Sequence, residues 1–367
     1  MIAAVLAGVS AAIWWGILLA PWRPWSTRER LNVGDAPTTD LSDLTVLIPA
    51  RDEADVLPRT LAALARQGDP RVIVIDDQSS DTTASVATAA GAQALAGANL
   101  PDGWTGKLWA LEQGRREVKT RWLLLLDADI ELQPGALAAL RKQASQDDRQ
   151  FVSVMARLRM ESVWERLLMP AFIYFFKLLY PFALANSARR WIAAAAGGCV
   201  LVEARVLEEL GGFGAIRGAV IDDCALARAV KSRGYRTWIG LSKAVISRRE
   251  YPSLGSIGEM VARTAFTQLR YSSALLVLCT LALVLACWMP VAGLFWPASR
   301  WLAAAAWAGM AASYVPTLRF YGRSPFWALA MPLIGTLYLA MTWQSAWRYW
   351  RGIRSRWKNR EYSRQAA

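Results

Sequence analysis

From Leu44 onward the chain alternates short apolar runs with stretches of helical spacing. Leu44–Ile48 (LTVLI), Val72–Ile75 and Trp122–Leu126 are nearly continuous apolar runs, as expected of strands buried on both faces. Asp52–Ala65, Thr83–Ala90 and Gly106–Val118 lie among them and read as helices. Such alternation predicts an α/β unit, a mostly parallel sheet with helices on both faces. In sheets of this kind ligands bind at the carboxyl ends of the strands, so the residues there are the ones to inspect.

Outside that region the pattern changes to long uncharged runs. Residues 1–22 contain no charged side chain, and Arg23 follows Trp14, Trp15 and Trp22. A cleaved signal peptide wants its charge before the apolar core, so this stretch reads as a retained transmembrane anchor with the next domain in the cytoplasm. Tyr271–Ser299, Trp301–Leu318 and Ser324–Trp347 are three further uncharged runs, with tryptophans gathered near their ends. Each approaches or exceeds the roughly 20 residues a helix needs to cross a hydrocarbon core. Together with the anchor, three crossings would put the basic C-terminus outside, whereas the positive-inside rule wants it inside. One late run is therefore expected to be re-entrant, and Pro332 with Gly335 points to the last. Trp164–Ala185 is apolar but holds Lys177, Pro170 and Pro181. It is expected to lie in the headgroup plane, as an interfacial segment (164–186) of the globular domain. The predicted organisation is thus an anchor over 1–22, a cytoplasmic α/β domain over 40–270, transmembrane or re-entrant segments over 271–347 and a basic tail over 348–367.

Composition fits this division. Of 367 residues 54% are hydrophobic and 19% charged, with a mean hydropathy of +0.22, too apolar for an ordinary soluble domain. The net charge of +13 would suggest nucleic acid if it were spread over the globular part. Instead the tail carries +6, Arg300, Arg319 and Arg323 carry +3, and residues 23–270 only +4. The excess lies beside the apolar runs, where anionic headgroups favour it, and nucleic acid is not an expected partner. Histidine is absent, which removes every imidazole base, Ser-His-Asp triad and His-ligated zinc site. Acid–base work falls to carboxylates, Lys, Tyr or Cys. Cys199, Cys224, Cys279 and Cys287 form no CxxC pair, so zinc-ribbon and redox motifs are absent too.

No GxGxxG follows the first strand and no GxxxxGK[ST] occurs, so dinucleotide and P-loop readings lose their main support. Carboxylates stand at the strand ends instead. Asp76 and Asp77 follow VIVI, and Asp127 and Asp129 follow LLLL. Two carboxylates one residue apart suit a hard cation such as Mg²⁺, which takes one or two carboxylates plus phosphate oxygens. A third pair, Asp222-Asp223, opens a stretch of helical spacing. Either residue could be a simple helix N-cap. In a chain without histidine the pair also offers the best-placed general base.

In order along the chain, VLIPARDE (46–53), VIDDQSSDTT (74–83), GKLWALEQG (106–114), LLLLDADIEL (123–132), GGCVLVEARVLEELGGF (197–213) and IDDCALARAVKSRGYR (221–236) resemble the family-2 glycosyltransferases, inverting enzymes with a GT-A fold. The resemblance covers roughly Leu44–Tyr271. GWTGKLWA, the IDDCALA box and the apolar C-terminus are most similar to the hopene-associated glycosyltransferases of bacterial hopanoid gene clusters.

The resemblance implies roles. Asp77 would bind the base or ribose of a nucleotide-sugar donor, with Ala50 and Glu53 lining the same pocket, and Lys107 would lie near the diphosphate. Asp127 and Asp129 would hold a divalent metal, Mg²⁺ or Mn²⁺, and Asp223 would be the catalytic base. Arg270 matches the arginine of a QxxRW motif, where it would reach a donor phosphate. Thr267 and Tyr271 replace that motif's Gln and Trp, which argues against processive polymer synthesis. The expected activity is metal-dependent, inverting sugar transfer at a bacterial inner membrane, from a nucleotide sugar to a lipid acceptor in hopanoid metabolism. The alternatives are a polyprenyl-phosphate or other glycolipid acceptor, and an inert nucleotide-sugar-binding membrane scaffold.

Overall fold

The computed structural model describes residues 1–34, 40–68, 70–357 and 360–363, so Lys358 and Arg364 of the basic tail lie outside the described residues. The chain forms two compact units. One is globular, Glu29–Arg159 with Leu184–Glu250, and the other is helical, Met1–Arg28 with Met160–Ala183 and the chain from Tyr251 on.

The globular unit is built on one eight-stranded sheet, whose strands are β1 (Leu44–Ala50), β2 (Arg71–Asp76), β3 (Gln93–Ala96), β4 (Trp122–Leu126), β5 (Ile130–Leu132), β6 (Phe151–Arg157), β7 (Cys199–Glu203) and β8 (Thr237–Ser247). Their spatial order is β3-β2-β1-β4-β7-β6-β8-β5. The β3-β2-β1-β4 half is parallel, with Val46 opposite both Val72 and Leu124. β7 then runs antiparallel to both β4 and β6, and β5 antiparallel to β8. Every residue of β1 and β4 is buried, which is why these strands read as unbroken apolar runs. Successive residues serve opposite faces. Val46, Ile48, Leu124 and Leu126 pack with Leu57, Leu61, Leu137 and Leu140. Leu47, Leu123 and Leu125 pack on the other face with Leu108, Leu111, Leu226 and Val230. The expected α/β, GT-A-like architecture with helices on both faces is the one observed.

Element ends differ from the sequence expectation. The first helix of this unit starts at Leu57 rather than Asp52, with Pro58 in its first turn, where a missing N–H costs nothing. Asp52–Val56 instead form a loop. The Asp52 and Glu53 N–H groups donate to Ser79 Oγ at 3.0 Å and Thr83 Oγ1 at 2.9 Å. The helix expected over Gly106–Val118 ends at Arg115.

In the helical unit, Val163–Leu179 is a continuous helix through Pro170, opened by a capping box of Ser162 and Glu165. Its Leu167–Leu168, Ala171 and Tyr174 face is buried. Tyr174 OH lies 2.6 Å from Ser313 Oγ, and Tyr338 OH donates to Leu168 O at 2.8 Å. The expectation for Trp164–Ala185 therefore changes. Most of this segment is a packed helix grouped with the helical unit rather than with the globular domain.

Among the described residues three helices are long and apolar enough to cross a membrane by length and composition: Ile2–Leu19, Ser273–Phe295 and Pro325–Trp350. The last includes the run expected to be re-entrant. Pro332 falls in the first turn of Met331–Trp350, and Gly335 gives Cys287 room, since a Cβ there would meet its Sγ at 2.8 Å. Neighbouring contacts fix the helix directions. Trp14 Nε1 donates to Ala286 O at 2.7 Å and Ala7 lies at Gly293, so the first helix runs antiparallel to Ser273–Phe295. Trp288 bonds Thr336 and Trp343 bonds Thr280, so Met331–Trp350 is antiparallel to Ser273–Phe295 as well. Arg300–Phe320 lies beside the first helix and parallel to it, with Leu302 at Gly8 and Gly309 at Trp14. Consecutive helices that run the same way cannot both be alternating crossings. Arg300–Phe320, which is not one of those three, runs the same way as Met331–Trp350.

Candidate active site

The carboxyl ends of the parallel strands gather the acidic residues, as the fold requires. At the end of β2, Asp77 is fully buried. Its N–H donates to Ala50 O at 2.8 Å, and Arg51 donates to its carbonyl at 2.6 Å. Ala50 is fully buried too, with its carbonyl taken up by that Asp77 N–H. Gly97 closes over this turn. A Cβ there would stand 2.8 Å from Asp76 O, so no larger residue fits without a shift.

Asp127, Lys107, Asp222 and Asp223 meet in one cleft, floored by Leu125, Leu126, Val200 and Leu226. Asp127 ends β4, Lys107 is in the first turn of the helix Gly106–Arg115, and the acidic pair opens the helix Asp222–Ser232. Lys107 Nζ lies 2.6 Å from Asp127 Oδ1 and 3.9 Å from Asp222 Oδ2. Asp223 accepts the Gly197 N–H at 2.9 Å and the Cys224 N–H at 2.7 Å. The cap position belongs to Ile221, so neither aspartate is the N-cap, although both sit where a helix N-terminus favours negative charge.

Burial works against the Lys107 ammonium, but Asp127 and Asp222 outweigh it and hold its pKa above the usual lysine range. Burial raises the Asp127 carboxyl, with Lys107 opposing. Burial, reinforced by Asp222, pushes Asp223 up to about 6. A carboxylate tuned toward neutrality beside a cation is what general-base chemistry without histidine requires.

Asp129 is buried, accepts from Ser247 Oγ at 2.9 Å and lies 3.4 Å from Arg249 Nε. The same guanidinium donates to Glu53 at 3.0 Å, so Arg249 joins the loop after β1 to the end of β4. Arg270 belongs to the helical unit, where it is exposed with a left-handed backbone (φ 51°). Its neighbour Tyr271 stacks on Tyr349 at 4.3 Å. Sequence reasoning missed Arg249, Ser247 and Gly197. The strand-end rule applied to β8, whose end reads SRRE, would have found the first two.

Among the described residues no three of His, Cys, Asp and Glu converge into a cage for a metal. Asp127 still fits a divalent ion, because its carboxylate opens onto the cleft with its side chain 34% exposed. Mg²⁺-type sites keep few protein ligands and take the rest from phosphate and water.

A family model described as "Glycosyltransferase like family 2" matches residues 42–265. The chain belongs to that family. Among curated relatives, it is 35% identical over 117 residues to a 4,4'-diaponeurosporenoate glycosyltransferase of Staphylococcus haemolyticus, covering 30% of this chain and 31% of the relative. It is also 35% identical over 115 residues to a TPR repeat-containing protein of Synechococcus elongatus, covering 31% and 27%. The matched stretch is thus under a third of either relative. A solved structure, "Mannosyltransferase PcManGT from Pyrobaculum calidifontis in complex with GDP-Man and Mn2+", superposes with a TM-score of 0.54 over 94% of this chain and 99% of that one. At 20% identity this likeness concerns the fold alone. The resemblance therefore stands at the level of family 2, and neither curated relative is named for a hopanoid.

Proposed function

We propose that this family-2 glycosyltransferase moves a sugar from a nucleotide-sugar donor to a lipid hydroxyl at a bacterial inner membrane, with inversion. The observation that carries this reading is the Asp223 carboxyl, raised to about 6 beside Lys107 and Asp127 in the strand-end cleft. Asp77 and the Ala50 backbone hold the nucleoside end, with Glu53 and Arg249 at the same edge. Lys107 turns its ammonium from Asp127 toward the diphosphate, where a mobile point charge suits phosphate oxygens. Asp127 and Asp129 would hold a divalent ion, which would supply charge neutralisation for the leaving nucleotide. Asp129 supports that end through Ser247 and Arg249. Asp223 takes the proton from the acceptor hydroxyl as its oxygen attacks the anomeric carbon opposite the departing diphosphate. One displacement inverts the configuration, with no covalent enzyme intermediate. Arg270 adds a juxtamembrane cation for phosphate or headgroup.

A base tuned to about 6 favours a hydroxyl acceptor over a polyprenyl phosphate, which is already ionised and has no such proton to lose. The membrane helices favour a lipid, and the hopene-associated resemblance suggests a polycyclic one. With three crossings, an anchor placing the globular unit in the cytoplasm also returns the basic tail there, as the positive-inside rule asks.

The test is nucleotide release by the detergent-solubilised full chain, across a panel of nucleotide sugars, with and without Mg²⁺ or Mn²⁺ and extracted membrane lipid. Release that needs both metal and lipid supports the proposal and identifies the donor. No release from any donor, with Asp127→Ala matching wild type in donor binding, moves the reading to an inert scaffold.

A further inference from the structure

Away from the cleft, the globular unit holds a second built feature, the loop between Ala185 and Ile192. One side chain ties both its ends. The Lys231 ammonium, on a residue only 3% exposed, donates to the carbonyl of Ala185 and to that of Ile192 at 2.8 Å. Burial depresses that amine to about 8, so the clamp carries a desolvation cost. Asn186 pairs with the β8 backbone in both directions, donating to Ile239 O at 3.0 Å and accepting its N–H at 2.7 Å. Ser187 donates to Leu184 O at 2.7 Å and accepts the Arg189 N–H at 3.3 Å. Above this fixed base Ala188, Arg189, Arg190 and Trp191 stand exposed, with the indole 70% accessible.

An indole so exposed adds nothing to the core, and its neighbours are two guanidiniums. Amphipathic aromatic rings and arginine side chains together suit a headgroup layer, the one burying its ring edge and the other meeting anionic phosphate. The chain enters this loop directly from Ala183, the last residue of a helical-unit segment, and Trp191 follows eight residues later. We propose that Arg189, Arg190 and Trp191 form a lipid-contact tip that seats the globular unit on an anionic headgroup surface. The proposal rests on the reading that the helical unit spans a bilayer, and it adds a contact that the spans themselves do not supply.

The test uses the full chain in vesicles of phosphatidylcholine, alone or with a third of the lipid replaced by phosphatidylglycerol. An environment-sensitive fluorophore is placed on Trp191→Cys with Cys279→Ser. Cys199, Cys224 and Cys287 are buried. Cys279, inside a candidate span, is labelled separately in the parent chain. The tip label is expected to shift blue and to be quenched by nitroxide lipid only when phosphatidylglycerol is present. Neutralising Arg189→Gln or Arg190→Gln should each weaken this by about five-fold. Salt at ~1 M, where the Debye length falls to about 3 Å, should abolish it. If Cys279 is quenched by nitroxide lipid while the tip label stays open to aqueous iodide in both vesicles, the membrane reading stands and the tip proposal fails. An unquenched Cys279 label overturns both.

Discussion

The Asp223 carboxylate accepts the Gly197 N–H while lying beside Asp222, and these neighbours pull its ionisation in opposite directions. Burial decides the outcome, so the group titrates at about 6. The base must be ionised to work, so kcat/KM should climb as pH rises through about 6 and then level off. Below about pH 5 it should fall close to ten-fold per unit. The sign for stability is the reverse. The folded state holds this proton more tightly than the unfolded chain, so its contribution is present at low pH and lost as pH rises through about 6. Asp223→Asn is expected to keep donor binding, read by calorimetry, and to lose ~10²–10⁴ in turnover together with the acidic limb. Near-normal transfer by that variant would refute the assignment. Asp77, Asp127 and Asp129 were legible because they follow apolar runs, and Asp223 because it opens a stretch of helical spacing. Arg249 was not, because its significance comes from Glu53 and Asp129, which lie 196 and 120 positions away and meet only in the fold.

Elements were legible to the extent that burial made them uniform. β1 and β4 are buried throughout and announce themselves, whereas β7 could not be assigned its place between β4 and β6 from an apolar run alone. Helix starts were misread where polar residues are helix-compatible in spacing but engaged elsewhere, as Asp52 and Glu53 are with Ser79 and Thr83. Glu112 shows how an element is tethered to the site. Its carboxylate accepts the Phe213 N–H at 2.8 Å and pins the turn of Gly211 and Gly212 before the helix that opens with Asp222 and Asp223. Gly212 has φ +74°, and a Cβ there would fall 2.4 Å from Glu112 Oε2. Gly212→Ala is therefore expected to lower stability by about 1–3 kcal/mol in thermal or denaturant unfolding. An unchanged midpoint would mean the turn relaxes freely.

At the scale of the molecule, the long uncharged runs pointed to apolar helices, but the directions of those helices required contacts such as Trp14 with Ala286 and Trp343 with Thr280. With three crossings, a fluorescent protein fused after Ala367 should glow, and a phosphatase inserted at 297–299 should be active outside. A C-terminal phosphatase fusion active only in the periplasm would contradict this. The interleaving of the chain also bears on anyone who wishes to work without detergent. Trimming both termini to leave 29–250 does not yield a clean globular piece, because Met160–Ala183 is threaded through its middle. Such a truncation would carry Leu168, Ala171 and Tyr174 stripped of Ser313 and Tyr338, an orphaned greasy rod prone to precipitate. A water-soluble derivative calls for excising that internal helix and bridging Arg159 to Leu184 with a short hydrophilic tether.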